Sequence, residues 1–232
     1  MKLRNVIFFI LLILLADQGL KIWIKTSYPT GEVTQVLGMN WFQLYYIENP
    51  GMAWGWKLGN ETGKVVLTLF RLVAVLFGTW YLGRIVRQRL HKGFIICASL
   101  IYAGALGNLI DSMFYGMIFD KGLHFDPAIK DYVTYQGVAS FSSTGYSSFL
   151  HGSVVDMLYF PLFDSKFPEW FPFVGGEDFT FFSPIFNIAD ASISIGVITL
   201  LLFQKRFFKK KKEEAPVAHE TNAAVNDEFQ VS

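Results

Sequence analysis

Four long apolar segments limit what this chain can fold into more than any other feature of its sequence. They cover residues 5–24, 65–83, 93–113 and 184–203. A helix rises about 1.5 Å per residue, so about 20 apolar residues cross a hydrocarbon core about 30 Å thick. The composition agrees, because 52% of the 232 residues are hydrophobic. The pattern predicts an all-α integral membrane protein with four transmembrane helices.

A cleaved secretory signal is the alternative for the first segment, because Lys2 and Arg4 precede its apolar stretch. We favour a retained helix for two reasons. No small-residue cleavage site follows the stretch, and the segment continues through Asp17 and Lys21.

Basic residues predict the orientation of the helices, since short loops rich in Lys and Arg stay in the cytoplasm. Basic clusters occur before the first segment, between the second and third, and after the fourth. The stretch 114–183 instead contains three lysines against eight acidic residues. Both termini are therefore expected to be cytoplasmic, with loops 25–64 and 114–183 on the outer side.

The segments outside the helices differ in composition. Residues 1–208 are expected to form one four-helix membrane domain, and the charged, polar residues 209–232 a disordered cytoplasmic tail. The outer loop is rich in Phe, Tyr, Gly and Ser, and residues 132–141 alternate as a strand does. This predicts a small extracytoplasmic β-containing region on the outer membrane surface.

Charge and cysteine content exclude some functions. The formal net charge of +1 gives no reason to expect a nucleic acid partner. The single cysteine, Cys97, excludes an internal disulfide and a cysteine metal cluster.

Carboxylates inside apolar segments indicate a site, because an ionisable side chain at the bilayer centre costs about 2.5–3.5 kcal/mol on insertion scales. With the predicted orientation, Asp17, Asp111 and Asp190 all lie near the outer ends of their helices. Lys21 lies four residues after Asp17 and can pair with it, either within the site or as a simple charge-neutralising pair.

The spacing of neighbouring polar residues supports this interpretation. Asn108 lies three residues before Asp111, and Asn187 three before Asp190, so each pair shares a helix face. In the outer loop, Asp156 is the one acid in an apolar run expected to dip into the membrane interface.

Two close carboxylates in a low-dielectric site do not both ionise easily, so one keeps a proton while the other acts as a base toward water. This is the chemistry of aspartic proteases, and it needs no metal and no cofactor. The candidates for the pair are Asp156 and Asp190.

Two other hydrolase chemistries remain open. Lys21 could act as a general base for Ser192 or Ser194. A metal site could involve His124, His151 and the acids, although no usual ligand spacing appears.

Five short groups of residues carry a family resemblance. They are Asp17, Gln18 and Lys21; Asn49, Gly51, Ala53 and Trp54; residues 104–111; Val154, Val155 and Asp156; and Phe186, Asn187, Ala189, Asp190 and Ile193. In this order they resemble the motifs of the lipoprotein signal peptidase family, the aspartic membrane peptidases also called signal peptidase II. Because all five occur in order, the resemblance is specific.

The resemblance implies an aspartic endopeptidase that removes the signal peptide from diacylglyceryl-modified prolipoproteins, immediately before the lipidated cysteine. The catalytic dyad implied is Asp156 and Asp190. The residues implied to bind substrate or support the dyad are Asn49, Asn108, Asp111, Asn187, Asp17 and Lys21.

The same resemblance implies partners and a location. The partners are prolipoprotein substrates, membrane lipid and globomycin-like inhibitors, and we expect a monomer. The location is the bacterial cytoplasmic (inner) membrane, with the active site near the outer leaflet.

Two departures from the family pattern stand out. The family usually has an arginine after the third-motif aspartate, where this chain has Ser112. A contact to the substrate is therefore lost or supplied by another residue. The stretch 114–153 is also longer than expected, and its composition is compatible with a flap over the site.

A small membrane transporter or proton-relay protein is the rival class, with Asp17, Asp111 and Asp190 as the relay. A relay more often spreads its acids over several depths or near the midplane. A purely structural membrane protein is the third alternative, and it leaves the five ordered motifs unexplained.

Overall fold

The computed structural model describes residues 1–51, 61–161, 163–166, 168–172, 176, 178–181 and 184–208. Within them, four helices are long and apolar enough to cross a membrane, as predicted. They are α1 (Leu3–Ser27), α2 (Glu61–Arg87), α3 (Lys92–Ile110) and α4 (Ile188–Phe207). The third continues through a π-helical turn at Asp111–Tyr115. The predicted tail, 209–232, lies outside the described residues.

The all-α description needs correction, because eight short strands lie in the described parts of the segments between α1 and α2 and between α3 and α4. They are β1 (Val33–Gln35), β2 (Gln43–Asn49), β3 (His124–Asp126), β4 (Asp131–Val133), β5 (Val154–Tyr159), β6 (Phe163–Lys166), β7 (Asp178–Phe181) and β8 (Ile185–Phe186). An antiparallel sheet has the order β1-β2-β5-β8, and β3-β4 and β6-β7 form two separate pairs. In the four-stranded sheet, the pairings of β2 with β5 and of β5 with β8 join strands that are distant in sequence, so local pattern alone does not reveal the sheet.

The alternating stretch 132–141 is strand only at its start. The strand β4 ends at Val133, and Phe141 forms an isolated bridge with Phe119. The predicted β-containing region is present, but only the start of this stretch forms a strand. Its alternating aromatic residues are used partly in packing, since Tyr135 lies against a buried cluster that includes Phe119 and Tyr46.

The helix α3 packs against each of the other three helices. Its contact with α4 is close because glycines face the partner backbone. A Cβ atom at Gly104 would overlap the carbonyl oxygen of Ala189, and one at Gly196 would lie 2.9 Å from the carbonyl oxygen of Cys97. Small residues allow helix backbones to approach in this way. The N-terminal turns of α4 are thereby held against the C-terminal half of α3.

The outward faces of the helices are apolar. Large side chains such as Phe8, Leu15, Phe70 and Leu202 are more than half exposed. Apolar surface of this extent is typical of a face that contacts lipid. Between the helices, a separate cluster that includes Val6, Ile85 and Ile95 is buried. The bundle therefore has apolar side chains both inside and outside.

The fourth helix begins at Ile188, four residues after the predicted start at residue 184. The short strand β8 occupies Ile185–Phe186, and Asn187 then caps the helix. Its Oδ1 atom accepts a hydrogen bond from the backbone N–H of Asp190 at 2.8 Å. An asparagine at this position satisfies one of the backbone donors that a helix leaves unpaired at its first turn.

Candidate active site

Asp156 lies in the interior strand β5, between β2 and β8. Its main-chain partner in β2 is Ile47, and its side chain is 3% exposed. The sequence predicted that Asp156 lies in a loop that dips into the membrane interface. This is corrected, because Asp156 lies in a strand that is paired on both sides. The residues around Asp156 do not alternate between polar and apolar, because residues on both faces of β5 are buried.

Asp190 lies in the first turn of α4. Its Oδ1 atom accepts a hydrogen bond from Nδ2 of Asn108, on α3, at 2.7 Å. A negative charge in the first turn of a helix is stabilised by the positive end of the helix dipole. The fold therefore presents this carboxylate at a favourable helix end, with an amide donor from the neighbouring helix.

Two asparagines connect the two carboxylates, and their partners fix which way each amide points. Lys21 can only donate, so the atom of Asn108 that lies 2.9 Å from its Nζ is the oxygen, and the amide nitrogen faces Asp190. The backbone N–H of Asp190 likewise requires the oxygen of Asn187. The amide nitrogen of Asn187 then lies 2.6 Å from Oδ1 of Asp156 and 3.1 Å from Oδ1 of Asn108.

Lys21 is fully buried and joins α1 to α3 at the site. Its Nζ lies 2.9 Å from Oδ2 of Asp17 and 2.8 Å from Oδ2 of Asp111. With Asn108, these acceptors match the three protons of the ammonium group. Asp17 also accepts from the backbone N–H of Ala189 at 2.8 Å, which ties α1 to the start of α4. The pair Asp17–Lys21 is thus part of the site rather than an isolated neutralising pair.

The serine–lysine chemistry is contradicted by the positions of the serines. The hydroxyl of Ser192 donates to the carbonyl oxygen of Ile188 at 2.8 Å, within its own helix. Ser194 is exposed. Among the described residues, the donors of Lys21 are directed at carboxylates and an amide oxygen, so no serine is placed for activation by it.

Asn49 approaches the site from the end of β2. Its Nδ2 atom lies 3.4 Å from Oδ2 of Asp156, which is a long hydrogen bond. Its Oδ1 atom accepts from the backbone N–H of Gly51 at 2.8 Å, which holds the side chain in place. Two other residues of the same sequence motif, Ala53 and Trp54, lie outside the described residues.

The environment of Asp156 favours its protonated form. Burial, and then the negative charge of Asp190, raise the pKa of Asp156 to about 7, against the opposing effects of Lys21 and the amides of Asn49 and Asn187. Near neutral pH this carboxyl group can therefore hold a proton and donate it.

The two histidines considered for a metal site line a small cavity together with Lys64 and Tyr132. His124 contacts the carbonyl oxygen of Gly122, and His151 contacts Ser148 and Phe149. In the part of the chain that the structure describes, no three His, Cys, Asp or Glu side chains are grouped to hold a metal ion.

Two residues of the site were not among the predicted site residues. Gln18 donates to Oδ1 of Asp111 at 2.8 Å and accepts from the hydroxyl of Tyr115 at 3.1 Å. Arg71, on α2, donates to the hydroxyl oxygen of Ser112 at 3.0 Å. The signal for Arg71 was present, because it is an ionisable residue in the middle of the predicted span 65–83.

The long stretch 114–153 is held beside the site through Glu48 on β2, which also forms a buried ion pair with Lys25 on α1. Glu48 also accepts from the hydroxyl of Tyr135 at 3.0 Å and from the backbone N–H of Leu123 at 2.8 Å. Both of these donors belong to the stretch 114–153. Because Glu48 directly follows Ile47, the strand partner of Asp156, this stretch is attached to the same strand pair that positions the Asp156 carboxyl group.

Comparison with known proteins places these features in a family. The model of the Signal peptidase (SPase) II family matches residues 9–206. The Lipoprotein signal peptidase of Porphyromonas gingivalis is 47% identical over 200 residues, covering 85% of this chain and 81% of that protein. The Lipoprotein signal peptidase of Amoebophilus asiaticus is 34% identical over 195 residues, covering 83% and 74%.

A solved structure described as a bacterial membrane enzyme, determined by the in meso method, has the same fold. It matches with a TM-score of 0.54 at 23% identity, covering 92% of this chain and 95% of that chain. The similarity therefore extends over the helices and the sheet together.

Proposed function

Because this chain belongs to the signal peptidase II family, we propose that it is an aspartic endopeptidase that removes the signal peptide from diacylglyceryl-modified prolipoproteins. Cleavage occurs immediately before the lipidated cysteine. One observation carries the proposal: Asn187 contacts both Asp156 and Asp190, which belong to a strand and a helix. The substrate class follows from the name shared by the relatives.

The two carboxyl groups have different roles in the proposed reaction. Asp190 is the ionised base, at the start of a helix, and takes a proton from the attacking water. Asp156 is neutral and gives its proton to the carbonyl oxygen as the water oxygen bonds to the carbonyl carbon. When the intermediate collapses, the C–N bond breaks and Asp190 gives its proton to the leaving nitrogen. The proton on the carbonyl oxygen returns to Asp156, which restores the site.

The surrounding polar residues hold this pair in position. Asn108 and Asn187 direct their amide N–H groups at the carboxylates, and Lys21 fixes Asn108. Asn49 is near enough to Asp156 to bind the substrate backbone beside it. Side chains held by such fixed partners lose little freedom when the reaction begins, which lowers the barrier to reaction.

The substrate explains the proposed membrane location. The protein is a bacterial membrane protein, and the distribution of basic residues favours cytoplasmic termini and a site near the outer leaflet. A diacylated cysteine has its lipid chains in that leaflet, while its signal helix crosses the bilayer. We further expect the chain to act as a monomer and to bind globomycin-like cyclic peptides at this site.

Purified full-length protein in detergent provides the test. We expect it to cut a diacylglyceryl-modified prolipoprotein, and mass spectrometry of the product to show a new N-terminus at the lipidated cysteine. The matched control is the same precursor without lipid, which we expect to be cut poorly. Cleavage at another bond, or equal cleavage of both precursors, would contradict the substrate assignment.

The proposed chemistry also predicts that chelators have no effect on cleavage. Inhibition by a chelator that is reversed by added zinc would instead indicate a metal-dependent reaction. A globomycin-like peptide should block cleavage of the lipidated precursor, and full activity in its presence would contradict its proposed binding site.

A further inference from the structure

Arg71 brings a positive charge to the site from a helix that contributes no other proposed site residue. It lies in α2, is half-buried, and donates from Nη1 to the hydroxyl oxygen of Ser112 at 3.0 Å. The hydroxyl proton of Ser112 is used elsewhere, because it donates to the carbonyl oxygen of Asn108 at 2.9 Å. Ser112 therefore acts as an acceptor that holds one arm of the guanidinium group.

The guanidinium group keeps most of its donors available. It has five N–H donors, and one of them has a hydrogen-bond partner among the described residues. No carboxylate in the described ranges lies within 4 Å of the guanidinium group. Asp190, Asp111 and Asp156 nevertheless interact electrostatically with it. An arginine within a spanning helix is costly, so open donors next to the carboxylates indicate a binding role.

The position of the guanidinium group relative to the outer loop supports this role. A Cβ atom at Gly51 would lie 3.5 Å from Nη1 and 3.7 Å from Nη2 of Arg71. Gly51 has a φ of 99° and donates to Asn49, whose amide reaches toward Asp156. The guanidinium group is therefore held between the π-helical turn and the strand end that carries Asn49.

We propose that Arg71 is a substrate-binding residue that donates hydrogen bonds to a backbone carbonyl oxygen of the prolipoprotein next to the bond that is cut. This inference rests on the proposed function. Ser112 directly follows Asp111 and accepts from Arg71 on the neighbouring helix. The positively charged guanidinium group is thus supplied from α2. A lysine does not reproduce the planar fork of an arginine.

Steady-state kinetics on the lipidated precursor test this proposal. We expect Arg71→Gln to raise KM about 10- to 100-fold, because hydrogen bonds from a charged group contribute that much to binding. Arg71→Lys should restore only part of the loss. In the double variant with Arg71→Gln and Ser112→Arg, the fork returns from the other helix, and we expect KM to recover. An unchanged KM in Arg71→Gln would overturn the proposal.

A role as a simple counter-charge makes different predictions. In that case Arg71→Lys would match the wild type, and Arg71→Gln would shift the pH profile of kcat without raising KM. Either result would overturn the proposal. The melting temperatures of Arg71→Gln and Arg71→Lys are measured to check that both variants fold. If Arg71→Gln does not fold, the KM of Arg71→Lys tests the proposal, and a KM equal to that of the wild type would overturn it.

A binding measurement separates this inference from the proposed function. In an Asp190→Asn background, which should not cut, a fluorescent diacylated precursor peptide is titrated with and without Arg71→Gln. A weaker Kd by about 10-fold or more supports the role of Arg71 even if the wild type shows no cleavage. Equal Kd values would overturn the inference even if the wild type cuts normally.

Discussion

The amide nitrogen of Asn187 lies 2.6 Å from Oδ1 of Asp156. The same side chain caps α4 through its oxygen, which accepts from the backbone N–H of Asp190. One residue therefore starts the helix that carries one carboxylate and donates to the other carboxyl group. The two contacts use different atoms of Asn187. A substitution can therefore keep the helix cap and remove the hydrogen bond to Asp156.

Substituting Asn187→Ser keeps an oxygen for the cap but removes the amide donor. We expect the melting temperature to change little and cleavage to fall about 2- to 10-fold, since a hydrogen bond between neutral groups contributes about 0.5–1.5 kcal/mol. The amide opposes the rise in the pKa of Asp156, so its loss should move the alkaline limb of the pH–rate profile upward. The control is Asn40→Ser, at an exposed position. An unchanged rate and profile would contradict the assigned contact.

The raised pKa of Asp156 predicts a pH-dependent stability. This pKa is about 7 in the folded protein and about 3.9 in an unfolded chain, so between these values the folded state binds more protons. The contribution of this group to stability is therefore full below pH 4 and is lost as the pH rises through 7. We expect Asp156→Asn to raise the melting temperature more at pH 8 than at pH 5.

Thermal unfolding in detergent at the two pH values measures this difference. The control is Asp120→Asn, because Asp120 is exposed and its acceptor bond to the backbone N–H of Ser140 is retained by an amide oxygen. The same gain at both pH values for Asp156→Asn would indicate that the pKa is not raised in the folded protein.

The contact between α3 and α4 should tolerate no added methyl group at Gly104. A Cβ atom there would overlap the carbonyl oxygen of Ala189, so the start of α4 and Asp190 would have to shift. We expect Gly104→Ala to lower the free energy of unfolding by about 1–3 kcal/mol and to reduce cleavage. Gly19→Ala is the matched control, because nothing lies within 4 Å of its Cβ position. Equal effects of the two substitutions would refute the close packing.

Removing the buried ammonium group of Lys21 should strongly lower the stability of the folded protein. Lys21→Met leaves Asp17 and Asp111 buried without their shared cation. Breaking a buried ion pair on one side costs about 3–5 kcal/mol, so we expect a large loss of stability, measured by thermal unfolding. The control is Lys92→Met, at an exposed position, which should behave like the wild type. A stable Lys21→Met protein would show that the three charges are not coupled as described.

The sequence predicted the helices well because a spanning helix needs a long apolar run, and that requirement is local. It also drew attention to the asparagine–aspartate pairs. Asn187, however, precedes α4 and contacts Asp190 as the helix cap, so this pair does not share a helix face. The start of α4 was placed too early, because Ile185–Phe186 belong to a strand whose partner, β5, lies in another part of the chain.

The strand that carries Asp156 could not be predicted from its own residues. An interior strand is buried on both faces and has no alternation, and its pairing with β2 depends on residues far away in sequence. Arg71 was missed for another reason. Its place inside an apolar span was visible, but its contact with Ser112 depends on how α2 packs against α3.

The central claim is that Asp156 and Asp190 together activate water for peptide cleavage. The most direct test compares single-turnover cleavage of a diacylated prolipoprotein by the wild type, Asp156→Asn and Asp190→Asn, with Asp120→Asn as the control. Each dyad variant should remain folded and lose at least about 100-fold in rate, as expected for loss of an acid–base group. Near-normal cleavage by either folded dyad variant would contradict the account.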